Sequence, residues 1–432
     1  MPLDINTFRN NPELIRESQR RRHADPLLVD TVIALDNDAK NARHTCDLAN
    51  AELRKISKQI GIMISTGDPT ADILRATIPQ LHAEIASKKE ACKAADILLS
   101  DALCRIGNIV DTDVVVSNDE KDNETIRRWG EFAVPTVGGP NGKLREHFDL
   151  LEMISGYDTV RGARVAGSRG YFLTGIGAQL NLALIQYATN FLAQRDYTAL
   201  QVPLFMRPDM MSKTAQLADF DEQLYKTVDG NYLIATSEQP ISCMHAGEWI
   251  SPTELPLKYA GVSTCFRKEA GKTGHDVRGI FRVHQFDKVE QFVICSPEDS
   301  ARIHTEMTRV SEEFLESLGL SYRTVSIVSG ALNDAATKKY DIEGWFPAFG
   351  DCRELVSSSN CTDYQSRALD IRFGYKKTGV NAKTYVHMLN ATLCATTRVI
   401  CCIIENYQTD TGIIIPEVLR VYLNGKDFIP FK

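Results

Sequence analysis

Apolar residues recur with a strict 4,3 spacing over two stretches near the N-terminus. The first series consists of Leu28, Val32, Leu35, Ala39, Ala42, Cys46, Ala49, Leu53, Ile56, Ile60 and Met63. The second consists of Leu74, Ile78, Leu81, Ile85, Lys88, Cys92, Ala95, Leu99, Ala102 and Ile106, in which only Lys88 interrupts the apolar pattern. The segment TGDPT at 66–70 separates them. Two heptad series joined by a short turn predict an antiparallel coiled-coil hairpin over about residues 27–107.

The pattern changes after this hairpin. Residues 111–130, DTDVVVSNDEKDNETIRRWG, are polar and acidic, which is typical of a linker. From about residue 131, short β-rich runs alternate with helical stretches predicted at 175–195, 297–318 and 391–408. Closely spaced strands favour an antiparallel sheet in an α+β domain. The predicted organisation is therefore a helical arm at 1–110, a linker at 111–130 and a larger domain at 131–432.

Composition describes an ordinary globular chain. The 432 residues are 43% hydrophobic and 24% charged. No apolar run is long enough to span a membrane, and the N-terminal segment lacks the apolar core of a signal peptide. Eleven cysteines, an odd count without a C-x-x-C pair, predict a reducing, cytoplasmic location and no zinc site.

The net charge of −7 argues mildly against a nucleic-acid partner, because phosphate contacts require Lys and Arg. A local basic surface remains open. The cationic residues that can form a basic stripe on the hairpin are Arg54, Lys55, Lys58, Arg75, Lys88, Lys89 and Lys93. The alternative for each of them is a solvated coiled-coil face, and hairpins of this kind also serve as dimerisation rods.

The usual nucleotide-binding signatures are missing, since neither G-x-x-x-x-G-K-[ST] nor a strand followed by G-x-G-x-x-G occurs. The densest group of cations lies at 264–291 and comprises Arg267, Lys268, Lys272, His275, Arg278, Arg282, His284 and Lys288, with Glu269 among them. The ends of this segment, CFR and IFRVHQF, are typical of strands, and EAGKTGHDVRG is typical of a loop. Such a hairpin can hold polyphosphate between arginine side chains. The alternative is a surface hairpin with solvated charges.

The sequence FRKEAGKTGHDVRGIFRVHQFDKVE closely resembles motif 2 of the class II aminoacyl-tRNA synthetases, in its seryl-specific form. Four further segments resemble other parts of that family in the expected order. They are GYFLTGIGAQLNLALIQYA with LQVP (motif 1, with Pro203 as its proline), YLIATSEQPI (the T-x-E loop), CRELVSSSNCTDYQSRALDIRFG, and LNATLCATTRVICCIIENYQ (motif 3). The resemblance covers essentially the whole chain and is strongest to the eukaryotic cytosolic form.

The resemblance implies a class II core, an antiparallel sheet flanked by helices, and an N-terminal arm that binds tRNA. It implies activation of L-serine by ATP to seryl-adenylate, followed by transfer to the 3′ end of tRNA(Ser). It also implies a homodimer formed through motif 1. Whether tRNA(Sec) is a further substrate stays open at this point. On the arm, the residues predicted from their charge to contact tRNA are Arg54, Lys55, Lys58, Lys88, Lys89 and Lys93.

The resemblance also assigns residues to ATP. The implied ATP-binding residues are Arg267, Lys268, Glu269, Arg282, Val283, His284, Gln285, Phe286, Glu354, Leu355, Val356, Ser357 and Arg398. Arg267 would hold the α-phosphate and the serine carboxylate, and with Arg398 it is the implied catalytic residue. Glu269 would bind the adenine amino group, Phe286 would stack on adenine, and Arg282 with Arg398 would bind the outer phosphates. Glu354 and Ser357 are the implied Mg²⁺ ligands.

For L-serine the implied residues are Thr236, Glu238, Arg267, Glu290, Asn390 and Thr392. Glu290 would accept a hydrogen bond from the serine hydroxyl or amine, supported by Thr392. A buried carboxylate and hydroxyl left without partners penalise alanine and glycine, which lack the hydroxyl.

Two alternatives compete with this interpretation. One is a relative that adenylates an amino acid and loads it onto a carrier protein, but such a protein is expected to lack the long arm. The other is a non-catalytic regulator, which would tolerate loss of residues such as Arg267, Glu269, Glu354 and Arg398, all of which are present.

Overall fold

The structure is a computed structural model that describes residues 3–135, 144–214, 223–269, 278–375 and 384–432. The described chain divides into two compact units, one formed by residues 3–20 and 24–109 and the other by residues 21–23 and 110–432. Within these described ranges, no helix is long and apolar enough to cross a membrane.

The first unit is helical. Its helices are α1 (Ile5–Asn10), α2 (Pro12–Arg21), α3 (Leu28–Ser65), α4 (Ala71–Arg75) and α5 (Ile78–Leu103). Helices α3 and α5 pack against each other, and every residue of both heptad series is buried or partly buried. The predicted hairpin is therefore confirmed, with TGDPT between the helices and the short α4 as an addition that the spacing did not predict.

Asp36 and Lys88 are two charged residues of the first unit that have partners of opposite charge close by. Asp36 is buried and forms ion pairs with Arg9 and Lys40, each at 2.7 Å. The hydrogen bond from Arg9, supported by Lys40, lowers the pKa of Asp36 to about 2 despite its burial. Lys88, which interrupts the apolar seam, directs its ammonium to Glu84 at 2.6 Å. The seam therefore accommodates a lysine because its charge reaches a carboxylate one turn away.

The second unit is built around a large sheet. Its strands are β1 (Glu124–Trp129), β2 (Tyr157–Asp158), β3 (Phe172–Leu173), β4 (Thr198–Gln201), β5 (Phe205–Met206), β6 (Tyr232–Leu233), β7 (Trp249–Ile250), β8 (Leu257–Phe266), β9 (Gln285–Cys295), β10 (Tyr322–Ser326), β11 (Lys338–Phe346), β12 (Asp351–Asn360), β13 (Arg372–Phe373), β14 (His387–Ala395), β15 (Gly412–Ile414) and β16 (Phe428–Pro430). Eight of them form one sheet in the order β1-β10-β11-β12-β14-β9-β8-β4. All neighbours are antiparallel except β4 and β8, so the prediction of an antiparallel α+β core is confirmed.

The second unit also contains nine α-helices within the described residues. They are α6 (His147–Met153), α7 (Thr159–Ala166), α8 (Ile176–Ala193), α9 (Pro208–Met211), α10 (Glu238–Cys243), α11 (Ser300–Ser317), α12 (Tyr364–Leu369), α13 (Thr396–Asn406) and α14 (Glu417–Arg420). Helix α11 packs on β12 and β14, where the Thr308 and Ser358 hydroxyls lie 2.9 Å apart. Because successive strand residues face opposite sides, Ser357 and Ser359 lie on the side away from α11.

Two boundaries predicted from the sequence were wrong. The helix predicted at 391–408 begins only at Thr396, because residues 391–395 complete β14 in the centre of the sheet. The stretch IFRVHQF is not a strand throughout, since β9 begins at Gln285 and the preceding residues form turns and bends. In both cases pairing with a distant strand, rather than local pattern, sets the boundary.

The predicted linker at 111–130 was also wrong in part. Residues 124–129 form β1, which pairs with β10 at the edge of the sheet. Five of the six β1 residues are exposed, so the strand carries polar and charged side chains and looks like a linker in the sequence. Val110 and Val114 are buried in a small core with Val325, Ile327 and Leu332.

Arg21 and Arg22, which are adjacent near the N-terminus, donate hydrogen bonds to backbone carbonyls. Arg21 donates to the carbonyls of Val110, Asp111 and Val114. Arg22 is 7% exposed and donates to the carbonyls of Asn333 (3.2 Å) and Ala336 (2.5 Å). Arg22 thereby holds the loop at 330–333, which forms one wall of the cavity described below.

Candidate active site

A cavity of about 570 Å³ lies on the face of the sheet that α11 leaves open. Its lining comes from β9, β11, β12 and β14 together with adjoining loops, including the residues that follow β8, and the starts of α10 and α13. The residues that line it are Gln223, Thr236, Glu238, Arg267, Glu269, Phe281, Arg282, Val283, Phe286, Lys288, Glu290, Gly330, Ala331, Leu332, Asn333, Lys339, Glu354, Leu355, Ser357, Ser359, Asn390, Thr392, Ala395, Thr397 and Arg398. Polar and charged groups from distant parts of the chain therefore converge on one site, as expected of a binding site for a polar ligand.

Arginines form the cationic part of the lining. Arg267 follows the last residue of β8 and donates through Nε to the Ala235 carbonyl at 3.3 Å. Its guanidinium carbon lies 5.3 Å from the centroid of the Phe286 ring. Arg398 lies in the first turn of α13, and its guanidinium lies 5.0 Å from the centroid of the Phe281 ring. Aromatic faces stabilise these cations and fix their planes. The arrangement presents planar donors suited to phosphate and carboxylate oxygens.

Arg282 and Glu269 form an ion pair of 3.0 Å in the same lining. Glu269 has a positive φ of 50°, which is unusual for a residue with a side chain and occurs often at functional positions. Arg169 donates to the Glu269 carbonyl at 2.9 Å. The backbone at Glu269 is thus held in a strained conformation by its neighbours.

A β-bulge brings Glu354 and Ser357 to the same face of β12. Residues three apart in a regular strand point to opposite faces. Here Glu354 pairs with Glu343 and Val356 with Ile342, which leaves Leu355 as an extra residue. Both Glu354 and Ser357 therefore line the cavity, which no periodicity in the sequence indicates.

Cations surround the Glu354 carboxylate. Arg398 Nη1 lies 3.3 Å from Glu354 Oε2 and also donates to the Glu354 carbonyl at 3.1 Å. Burial alone would raise the pKa of Glu354, but Arg398, Lys339 and Arg267 together hold that pKa well below its usual range. Behind this group, burial raises the pKa of Asp341 to about 7, opposed by Lys339. The carboxylate of Glu354 is therefore ionised and available as a hard oxygen ligand.

The opposite part of the lining is acidic and lies deeper. Glu290, in β9, is 2% exposed and forms an ion pair with Lys288 on the same face of that strand. Thr392, its register partner in β14, donates to Glu290 Oε2 at 3.3 Å. Asn390 lies on the same face as Thr392, paired across the sheet with Ser359 of β12. These groups form a small pocket with both donors and acceptors.

Glu238, at the first position of α10, adds a second carboxylate to this pocket. Burial, and then repulsion from Glu290, raises the pKa of Glu238 to about 7, while Gln365, Lys288 and Arg267 oppose this effect. A carboxylate with a raised pKa beside a second carboxylate is suited to bind a cationic group.

Sequence comparisons agree with this geometry. The profile of the tRNA synthetase class II core domain (G, H, P, S and T) matches residues 225–407, and that of the seryl-tRNA synthetase N-terminal domain matches residues 2–110. A cytoplasmic serine–tRNA ligase of Arabidopsis thaliana is 51% identical over 439 residues, which cover 100% of this chain and 96% of the relative. The chain belongs to the serine–tRNA ligase family.

Two solved structures of this family superimpose on the whole chain. A cytoplasmic serine–tRNA ligase from Naegleria fowleri in complex with AMP gives a TM-score of 0.85 at 43% identity, covering 100% of this chain and 99% of the other. A seryl-tRNA synthetase from Pyrococcus horikoshii complexed with ATP gives a TM-score of 0.88 at 38% identity, covering 100% of both. The fold of the serine–tRNA ligases therefore extends over both units.

The cavity brings together most of the residues that the resemblance implied. Fourteen of them line it: Thr236, Glu238, Arg267, Glu269, Arg282, Val283, Phe286, Glu290, Glu354, Leu355, Ser357, Asn390, Thr392 and Arg398. They derive from four segments that are far apart in sequence, 236–238, 267–290, 354–357 and 390–398. Motif 2 and motif 3 lie side by side because β9 pairs with β14 in the centre of the sheet.

Four implied ATP-binding residues lie outside this lining: Lys268, His284, Gln285 and Val356. The Val356 side chain is 1% exposed and belongs to the core, since the bulge turns it away from the cavity. His284 Nδ1 contacts the Arg267 carbonyl at 3.0 Å, and the Gln285 carbonyl accepts from the Tyr171 hydroxyl. Lys272 and His275 of the motif 2 loop lie outside the described residues.

Eleven lining residues were not predicted as site residues, and three of them are polar residues of the strands: Lys288, Lys339 and Ser359. A signal for Lys288 was present, because Lys288 and Glu290 are two residues apart in one strand and so face the same side. Lys339 precedes Asp341 in the same way, and the two form an ion pair of 3.1 Å. In both strands, opposite charges at i and i+2 lie beside the cavity, because buried charges require partners.

The predicted tRNA-contact residues of the arm lie on α3 and α5. Arg54, Lys55, Lys58, Lys89 and Lys93 are exposed, and Lys88 is partly buried. Lys93 pairs with Glu90 at 2.7 Å, which partly neutralises it. The exposed cations of α3, at 54, 55 and 58, carry no ion pair within the described part of the chain.

Proposed function

We propose that this chain activates L-serine with ATP to form seryl-adenylate and then transfers serine to the 3′ end of tRNA(Ser). The observation that carries the proposal is the polarity of the cavity. Arginines at one part of its lining suit phosphates and a carboxylate, and the carboxylates Glu238 and Glu290 with Thr392 suit an ammonium and a hydroxyl. ATP supplies the phosphates, and a hydroxyl-bearing amino acid supplies the carboxylate, the ammonium and the hydroxyl.

In the first step, a serine carboxylate oxygen attacks the α-phosphorus of ATP, and pyrophosphate leaves. Arg267 binds both the carboxylate and the α-phosphate, so it brings two anions together and stabilises the charge that develops on phosphorus. The step requires no proton transfer at the reacting atoms. Most of the rate therefore comes from positioning and charge stabilisation. In the second step, a terminal hydroxyl of tRNA attacks the carbonyl carbon, and AMP leaves.

ATP is bound by the arginines and by motif 2. Phe286 supplies a stacking face for adenine, and Glu269 accepts from the adenine amino group. Arg282 and Arg398 bind the outer phosphates. The ion pair between Arg282 and Glu269 opens when both residues turn to the nucleotide, and the phosphates then replace the carboxylate as the partner of Arg282.

The donor set fits Mg²⁺. Glu354 supplies an ionised carboxylate and Ser357 a hydroxyl on the same face of β12, and this ion needs few protein ligands when phosphates and water complete its shell. When bound, Mg²⁺ neutralises phosphate charge. Arg398, which contacts Glu354, orients this carboxylate toward the phosphates.

Serine is selected in the acidic pocket. Glu238 with Thr236 binds the ammonium group, and Glu290, supported by Thr392, accepts from the hydroxyl. Asn390 donates to the substrate. Alanine and glycine leave Glu290 and Thr392 without a partner, which costs binding free energy, and threonine adds a methyl group that the close packing excludes.

We assign tRNA binding to the arm, residues 1–110, and catalysis to residues 131–432. The exposed cations of α3 at 54, 55 and 58, and those of α5 at 88, 89 and 93, supply phosphate contacts. The acceptor is tRNA(Ser), in line with the seryl-tRNA synthetase N-terminal domain profile that matches this unit. The name of the Arabidopsis relative supports a cytoplasmic location.

A homodimer through motif 1 is part of the proposal. Strand β4 is an edge strand, and exposed apolar side chains occur in and near the motif 1 segment of the sequence: Val160, Val165, Phe172, Leu182, Leu204 and Phe205. An apolar groove of about 400 Å³ runs beside them, lined by Pro203, Phe205 and Met206 among others. An edge strand beside an exposed apolar groove is typical of a protein interface.

The dimer is tested by mass in solution. We expect the wild-type protein to have twice the chain mass and Phe205→Glu to shift it toward the chain mass of 48.2 kDa. Ile126→Glu, at the opposite edge of the sheet, is the control and leaves the dimer intact. A wild-type monomer contradicts this part of the proposal.

The activity is tested by ATP-dependent attachment of labelled serine to tRNA. We expect labelled tRNA(Ser) and no product with an acyl carrier protein. Labelling of the carrier protein instead of tRNA would favour the alternative adenylating enzyme, and no labelling of either would favour the non-catalytic regulator.

A further inference from the structure

Gln365 is a buried glutamine of α12 that lies behind the acidic pocket. It is 1% exposed, and its Nε2 donates to Glu238 Oε1 at 2.8 Å. Its Oε1 is buried and has no hydrogen-bond partner among the residues that the structure describes. Buried amides are normally satisfied on both sides, because an unpaired polar atom costs free energy. The amide of Gln365 thus leaves its oxygen without a partner while its nitrogen donates to a carboxylate that lines the cavity. This arrangement indicates a functional role.

The carboxylate it contacts has few other partners. Within the described chain, Gln365 is the side chain that donates a hydrogen bond to Glu238. The groups that act on Glu238 through charge are Glu290, which repels it, and Lys288 and Arg267, which attract it. Cys361 also lies nearby, as a thiol whose own pKa is raised by burial. Without the donor from Gln365, burial and Glu290 act on Glu238 with less opposition, and its protonated form becomes more favourable.

We propose that Gln365 is a positioning residue for the amino-acid substrate, which acts by orienting the Glu238 carboxylate toward the ammonium group. Gln365 does not line the cavity, so it acts through Glu238 and not on the substrate directly. The hydrogen bond fixes one carboxylate oxygen and leaves the other for the ligand. This inference rests on the function proposed above and deepens it.

The test is Gln365→Met, which keeps the length of the side chain and removes both amide atoms. In amino-acid-dependent exchange of pyrophosphate into ATP, we expect the KM for serine to rise about tenfold or more, because a hydrogen bond to a charged group is lost. The KM for ATP is expected to stay near the wild-type value. Raising the pH from about 7 to about 8.5 should lower the serine KM of this variant toward wild type, since base restores the ionised Glu238.

Gln408→Met is the matched control. Gln408 is 4% exposed, and its amide donates to the carbonyls of Arg145 and Glu405 outside the cavity. This control is expected to lower the melting temperature without changing either KM. Introducing Gln365→Met into a Glu238→Gln background should add no further loss in serine KM, because the residue through which it acts is already changed.

A folded Gln365→Met protein with a wild-type serine KM would overturn the inference. An equal rise in both KM values with no recovery at higher pH would also overturn it, since that indicates a merely structural role. If this variant does not fold, Gln365→Asn, which retracts the amide by one methylene, tests the same contact. Wild-type protein without serine-dependent exchange would instead refute the proposed function, so the two failures are distinguishable.

Discussion

The helical arm and the catalytic unit use charge in opposite ways. In the arm, most cations lie at the surface, paired at most with a neighbour one turn away, such as Lys93 with Glu90. In the catalytic unit, the buried Lys288 and the partly buried Lys339 lie beside carboxylates in a cavity wall. Water and salt screen exposed charges, so each one interacts weakly with a ligand. Buried charges are screened less and are held at fixed positions, so each one interacts strongly. The arm is thus suited to hold a polyanion, and the cavity is suited to orient small charged groups.

The largest loss of activity is expected when a cation is removed from the cavity. We expect Arg267→Ala to reduce serine-dependent pyrophosphate exchange about 10³-fold, because a fixed donor to the reacting phosphate is lost. The control is Arg302→Ala, which removes an exposed arginine of α11 that pairs with Asp299 and Glu306. An Arg267→Ala enzyme with near wild-type exchange would remove this residue from the proposed mechanism.

Charge reversal on the arm should have a smaller and selective effect. Changing Arg54, Lys55 and Lys58 together to Glu is expected to raise the KM for tRNA about ten- to a hundredfold through lost phosphate contacts. Exchange without tRNA should not change.

The matched control for the arm reverses Lys121, Lys426 and Lys432, which are exposed residues of the second unit. It alters net charge equally and should leave the tRNA KM near wild type. An equal loss of exchange and tRNA charging in the arm variant would contradict a separate tRNA-binding role for the arm.

The pH dependence of serine binding probes the buried carboxylates. Because burial and Glu290 raise the pKa of Glu238 to about 7, its ionised form declines as the pH falls through 7. We expect the serine KM of the wild-type enzyme to rise about tenfold between pH 8 and pH 6 while the ATP KM changes little. In Glu238→Gln the serine KM should be high and independent of pH over this range. A flat wild-type profile would show that Glu238 does not bind the ammonium group.

The smallest expected effect concerns stability of the arm. Asp36→Asn removes the buried carboxylate that Arg9 and Lys40 contact, and it should lower the free energy of unfolding of this unit by about 2 kcal/mol at neutral pH. Because the folded-state pKa of Asp36 is lowered to about 2, the wild-type advantage is full above about pH 4 and is lost as the pH falls toward 2. Denaturant unfolding of both proteins at several pH values measures this, and a difference that persists at pH 2 would contradict it.

The two regions also differ in what the sequence predicts. The hairpin depends on local spacing, so every seam position from Leu28 to Ile106 could be assigned without knowledge of the fold. The cavity lining was predicted mainly through family resemblance. Its geometry depends on pairing between distant strands, such as β9 with β14, and on the bulge at Leu355, and neither has a local signature.

The errors have the same origin. Residues 124–129 looked like a linker because an exposed edge strand is polar, and only pairing with β10 makes them a strand. The resemblance assigned Val356 to ATP together with Glu354 and Ser357, and no local pattern indicates that the bulge directs its side chain into the core. Gln365 was overlooked since its role depends on a contact with Glu238, 127 residues away.

The most direct test of the account is pyrophosphate exchange into ATP, measured without tRNA for each common amino acid in turn. We predict exchange with serine and with no other amino acid, because the cavity joins phosphate-binding arginines to a pocket that binds both an ammonium and a hydroxyl. Exchange with a different amino acid in place of serine would contradict the assignment of the pocket. No exchange from a folded protein supplied with Mg²⁺ would contradict the assignment of the cavity to catalysis.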